Sequence, residues 1–150
     1  MKTIKTMKII MYCLALVAMA GFTSAAFAQE PFLTSAQVKF DTTRHNKNAD
    51  TRLDVYVKSS DGHQFAKSEG NGGLWKRNSS HTITLRVEGS PTKADAENGS
   101  VSLTLHPNRD DTWMFNYRVT LKFSDGSVIR KHFSGCVLTE KDPTRTDSLT

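Results

Sequence analysis

Cysteine is scarce in this chain: Cys13 and Cys136 are the only two, and Cys13 sits in a segment expected to be removed. One remaining thiol cannot form an intramolecular disulfide, so the domain must be held by packing alone. Cys136 lies in the apolar run Cys136-Val137-Leu138, the setting of a buried and inert thiol. Catalytic and metal signatures are missing too. His45, His63, His81, His106 and His132 are scattered, with no H-E-x-x-H or other close pair to preset a zinc site. There is no G-x-S-x-G elbow, and Gly70-Asn71-Gly72-Gly73 lacks the lysine and following helix of a phosphate loop. That segment reads as a flexible turn. A catalytic triad assembled across loops would leave no trace in the linear sequence.

Charge is modest once position is considered. The formal net charge of +5 falls to +2 when Lys2, Lys5 and Lys8 leave with the leader, which holds no acid. The remainder has no concentrated basic stripe along the sequence, so nucleic acid is not an expected partner. The leader itself has three recognisable parts: the basic Lys2, Lys5 and Lys8, the apolar stretch Ile9 to Met19, and the A-x-A site Ala26-Phe27-Ala28. The working protein is expected to start at Gln29 and to be exported, periplasmic or extracellular. A membrane anchor fits less well, because the uncharged stretch contains Gly21, Thr23 and Ser24 and ends in a processing site. No transmembrane segment is expected after processing. Lipid attachment at Cys13 is disfavoured by the bulky Ile10-Met11-Tyr12 before it.

Alternation with period two dominates the rest. Trp113, Phe115, Tyr117, Val119, Leu121 and Phe123 interleave with Thr112, Met114, Asn116, Arg118, Thr120 and Lys122, which predicts a long strand with one apolar face. Leu53, Val55 and Val57, then Ile83, Leu85 and Val87, then Val101, Leu103 and Leu105 repeat the pattern. Weaker strands are predicted over Ala36 to Asp41, Gln64 to Ser68 and Val128 to Phe133. Ser60-Asp61-Gly62 and Ser124-Asp125-Gly126 supply hairpin turns. One short helix fits Thr92 to Glu97, bounded by Ser90-Pro91 and Asn98-Gly99. Seven or eight strands with one dry face each must bury those faces against one another. The expected fold is therefore an all-β, two-layer antiparallel β-sandwich after an N-terminal signal peptide. The expected division is a signal peptide over 1–28, an N-terminal tail over 29–35, the sandwich over 36–139 and a polar C-terminal tail over 140–150.

The segment from His106 to Leu138 carries His-Pro-Asn-Arg-Asp-Asp-Thr-Trp, a long alternating strand, an Asp-Gly turn and His132-Phe133-Ser134-Gly135-Cys136-Val137-Leu138. In this it resembles the C-terminal half of PLAT domains, and Asn48-Ala49-Asp50-Thr51 before Leu53 to Val57 is similar to that family's entry to an early strand. The Trp113 to Val119 spacing departs from the pattern by one residue, and no tryptophan precedes Leu138. The resemblance implies an eight-stranded sandwich whose end loops touch lipid, protein or calcium.

If successive strands reverse direction, the loops at 42–51, 69–80 and 107–112 emerge together at one end. They hold most of the unusual chemistry, on a scaffold suited to presenting binding loops. Asp50, Asp110, Asp111, Asn46 and Asn48 could supply oxygen ligands to calcium, although Arg44, Lys47 and Arg109 among them oppose a divalent ion. Trp75 could stack on a glycan or lipid headgroup, with Lys76, Arg77, His45 and Arg109 meeting phosphate or carboxylate. Alternatively, Trp75 plugs the end of the sandwich. The same residues would serve a protein partner equally well. The expected function is an exported, non-enzymatic binding or accessory module that contacts lipid, glycan or protein through these loops, with calcium as a candidate cofactor. The alternative is a small secreted hydrolase or lyase with catalytic residues on the same loops.

Overall fold

The computed structural model describes residues 29–150, and the leader expected over 1–28 lies outside them. Eight strands and one short helix follow in the order β1 (Leu33–Thr42), β2 (Arg52–Lys58), β3 (Gln64–Asn71), β4 (Ser80–Val87), α1 (Lys93–Glu97), β5 (Ser100–His106), β6 (Thr112–Phe123), β7 (Val128–Thr139) and β8 (Thr144–Ser148). All pairings are antiparallel, and the spatial order is β7-β6-β1-β4-β3-β2-β5-β8. The strands form a single, nearly closed sheet folded into two layers. The fold turns at β4, whose first six residues pair with β1 while Arg86 and Val87 pair with β3.

The period-two pattern becomes burial directly. Trp113, Phe115, Tyr117, Val119, Leu121 and Phe123 all face inward, as do Leu53, Val55 and Val57, and Val101, Leu103 and Leu105. Removing such side chains from water supplies the main driving force for folding, about 1.5–3 kcal/mol each. Phe40 on β1 sits at the centre of an aromatic cluster, with ring centroids 5.4 Å from Trp113, 5.5 Å from Trp75 and 5.7 Å from Tyr117. The one polar edge of Trp113 is satisfied, since Nε1 donates to Thr42 Oγ1 at 3.1 Å.

The turns follow their residues. Gly62 and Gly126 take positive φ of 86° and 82° in the β2–β3 and β6–β7 hairpins, a conformation that glycine reaches without a Cβ penalty. In α1, Thr92 Oγ1 accepts from the Asp95 amide at 3.2 Å and Asp95 Oδ2 accepts from the Thr92 amide at 2.8 Å, a reciprocal cap. The boundaries expected from sequence shift at both ends. β1 begins at Leu33, inside the expected N-terminal tail, and the expected polar C-terminal tail contains β8, which pairs with β5 from Ser100 to Thr104. Leu149, 2% exposed, anchors the end of that strand in the core. Among the described residues no helix is long and apolar enough to cross a membrane.

Candidate functional site

The loops over 43–51, 72–79 and 107–111 do meet at one end of the sandwich, and hydrogen bonds tie them together. Lys47 and Trp75 form an isolated antiparallel bridge, with Lys47 N donating to Trp75 O at 3.1 Å and Trp75 N to Lys47 O at 3.0 Å. Arg77 N donates to Asn46 Oδ1 at 2.6 Å, and Asn108 Nδ2 donates to Asp50 O at 3.1 Å. The Asp111 carboxylate, in a residue only 5% exposed, accepts from Thr51 Oγ1 at 2.6 Å and from the Asn48 amide at 3.1 Å.

At the centre lies Lys47, fully buried. Its Nζ donates to Thr51 O at 2.6 Å, to Gly73 O at 2.8 Å and to Asn48 O at 3.4 Å, and sits 4.8 Å from the Trp75 ring centroid. Three carbonyls thus match the three donors of an ammonium. Burial lowers the Lys47 pKa to about 8, with Asp111 and Asp50 opposing the shift. The opposite face of this cluster is closed by His81, stacked on Trp75 at 4.7 Å and 11°. Burial, and then the charge of Lys47, hold that imidazole below its usual range. Lys47 is therefore a structural clamp on three loops.

This arrangement redistributes the residues singled out from sequence. Trp75 is 6% exposed and belongs to the core, so its ring offers no open stacking platform; Phe40, His81 and Lys47 cover it. Lys76, Arg77, His45 and Arg109 are exposed on the rim. His45, Asn46, Asn48, Asp110 and Asp111 line one shallow hollow of about 490 Å³. The acids do not converge on a common point. Asp50 is exposed, Asp111 is engaged by Thr51 and Asn48, and Asp110 shares a recess with Glu140, whose pKa its neighbouring carboxylate raises. Among the described residues no three His, Cys, Asp or Glu side chains gather into a set able to hold a metal ion.

A second recess, of about 560 Å³, lies beside the first on the outer face of β2, β3 and β5, lined by Arg52, Asp54, Glu69, Gly70, His106 and Asn108 among others. Asp54 organises it. Its Oδ2 lies 2.8 Å from His106 Nε2, and its Oδ1 accepts from the Gly70 amide at 2.7 Å. Tyr56 OH donates to Glu69 Oε1 at 3.0 Å and lies 3.3 Å from Asp54 Oδ2. Burial, then the hydrogen bond to Glu69 and the charge of Asp54, push the Tyr56 phenol up to about 12, so it remains a neutral donor. A register shift in the β2–β3 pairing, where Gly70 has φ of 69°, turns the Gly70 amide toward Asp54.

Sequence reasoning did not single out Arg52, Asp54 or Glu69, which line this recess with His106. Its partial signal was the outward alternation of Arg52, Asp54 and Tyr56 between Leu53, Val55 and Val57. The pairing of Arg52 with His106 across β2 and β5 supplied the remaining contact. Cys136 is buried, and burial raises its thiol, which leaves it unreactive. Comparison with known proteins finds no match to any family model and none among curated proteins.

Proposed function

We propose that the protein is an exported binding module that takes a hydroxyl-rich ligand of the glycan class at the loop end of its sandwich. The observation that carries this reading is the recess around Asp54. It sets the carboxylates of Asp54 and Glu69 beside the donors of Arg52, His106 and Asn108. Sugar hydroxyls both donate and accept, so they suit a lining that mixes the two roles on a pre-organised frame. The frame is stiff because Lys47 and Asp111 cross-link the adjoining loops. With Trp75 closed off, polar contacts rather than ring stacking would carry affinity. Export rests on the leader, and a PLAT-like relationship rests on the His106 to Leu138 segment.

Isothermal titration of the protein against a panel of neutral oligosaccharides, with and without calcium, tests the proposal. Glu69→Gln and Arg52→Ala should each weaken a binding sugar about ten-fold or more, since a hydrogen bond to a charged group contributes about 1.5–3 kcal/mol. The melting temperature should barely move. Equal binding by wild type and both variants would place the ligand elsewhere. A second reading, a small hydrolase or lyase, rests on the His106–Asp54 pair at 2.8 Å, in which a carboxylate orients an imidazole as a general base. Product formed from the same panel, and lost in His106→Ala, would select that reading.

A further inference from the structure

The opposite layer carries a different surface. Lys39 on β1 pairs with Arg118 on β6, and Arg118 pairs with His132 on β7, so three cationic or protonatable side chains stand in one row across neighbouring strands. Arg130 opposes Thr120 one step along the same face, and Lys122 lies diagonal to Arg130. All five side chains are exposed, on the outward half of the alternation that buries Val38, Val119 and Leu121. Diagonal neighbours on such a face are about 7–8 Å apart at most, within reach of one another's long side chains. Asp41 is the acid of this region, and it is engaged by Lys39 at 3.4 Å and by Ser80. Among the described residues no salt bridge joins Arg118, Lys122, Arg130 or His132 to a carboxylate. These charges are scattered in sequence, and only pairing of β1, β6 and β7 brings them together.

We infer that this face is a docking surface for a linear anionic polysaccharide bearing sulfate or carboxylate groups. Charge complementarity is the reason: clustered cations with few competing acids bind a polyanion by displacing its condensed counterions. Guanidinium groups add bidentate geometry toward sulfate or carboxylate. The face also limits the partner. Its outward residues around the cations are mostly polar, such as Gln37 and Thr120; the apolar exceptions on β7, Val128 beside Lys122 and the exposed Val137, are single aliphatic side chains, and no aromatic side chain stands among the cations to stack bases. The surface is on β1, β6 and β7, whereas the recess around Asp54 is on β2, β3 and β5, so neither depends on the other.

The test is fluorescence anisotropy of a labelled heparin fragment, and separately of polygalacturonate, titrated with the protein over a salt series. Wild type should bind, with affinity falling as salt rises. The double variant Arg118→Gln with Arg130→Gln should lose affinity on the order of ten-fold, and its log–log salt slope should shrink by roughly two. Lys76→Gln with Arg77→Gln, which removes the same net charge at the loop end, should bind almost as wild type does. Loss of equal size in both double variants would mean that only net charge matters, and would overturn the assignment. Binding to anionic phospholipid vesicles or to single-stranded DNA, but not to either glycan, would overturn it as well. Circular dichroism melting of each variant establishes that the fold is intact.

Discussion

Tyr117→Phe probes the place where the sheet fails to close through its backbone. Tyr117 is fully buried on β6, with its ring 4.7 Å from Phe133. Its hydroxyl donates to Asp147 Oδ2 on β8 at 2.5 Å. Arg145 holds the same carboxylate through Nε at 2.5 Å and Nη2 at 2.8 Å. One phenol thus fastens the edge strand β8 to the inner face of the opposite layer. Phenylalanine keeps the ring and its stacking, and deletes one hydrogen bond to a charged acceptor, whose loss typically costs about 1.5–3 kcal/mol. The Asp147 side chain is 15% exposed and keeps Arg145, so water can replace part of the loss. The expected destabilisation is therefore at the lower end, about 1.5 kcal/mol. Burial and the hydrogen bond to Asp147 hold the phenol far above its usual range, so the effect should not vary with pH in the neutral region. Urea denaturation should show a lower midpoint at unchanged slope, with faster hydrogen exchange confined to β8 and its partner β5. A double-mutant cycle with Asp147→Asn should reveal coupling between the two sites. Additive effects, or β8 amides exchanging as in wild type, would refute the fastening role.

Two further outcomes concern the loop clamp and the helix junction. Lys47 has a folded-state pKa of about 8, below the value of about 10.4 for an unfolded lysine, so the unfolded chain binds more protons between the two. Its contribution to stability should rise with pH across that window, by on the order of 2–3 kcal/mol relative to Lys47→Met; urea midpoints that keep a constant difference would show that the ammonium is not desolvated. Gly99→Ala would drive a Cβ into the Lys58 carbonyl oxygen and to 3.2 Å from the Ala96 and Asp95 oxygens, all backbone atoms that cannot rotate away. It should cost about 1–3 kcal/mol in urea denaturation, and an unchanged midpoint would mean that the α1–β5 junction has room to relax.

Much of the fold was legible because burial acts on local alternation. The six odd-numbered apolar residues of β6 could be read as one inward face, since a strand exposes and buries successive side chains by geometry. Asp61-Gly62 and Asp125-Gly126 marked hairpins because the positive φ of each glycine is a property of the residue itself. β8 was not legible. Thr144, Arg145, Thr146, Asp147 and Ser148 carry no apolar alternation, and the strand is held by pairing with β5, by Tyr117 and by the anchor Leu149. β7 was legible only as far as Phe133, although the strand runs on to Thr139. The irregularity between Phe115 and Tyr117, with Gly135 at φ of 65°, switches the inward parity from Phe133 to Cys136 and Leu138.

The candidate sites divide along the same line. Period-two patterning and turn residues specified the strand content and the all-β class, because these depend on interactions between near neighbours in the chain, while alternating strand direction pointed three loops to one end. Which of those residues would be buried depended on distant partners. Trp75 became core because Phe40 and His81 close over it, and Lys47 became a clamp because the carbonyls of Thr51 and Gly73 meet at its ammonium. The meeting of His106 with Asp54, and of Arg118 with Lys39 and His132, required the register of β2 with β5 and of β6 with β1 and β7. A one-residue slip in either register would send every side chain to the other face, so tertiary packing alone could decide which charges share a surface.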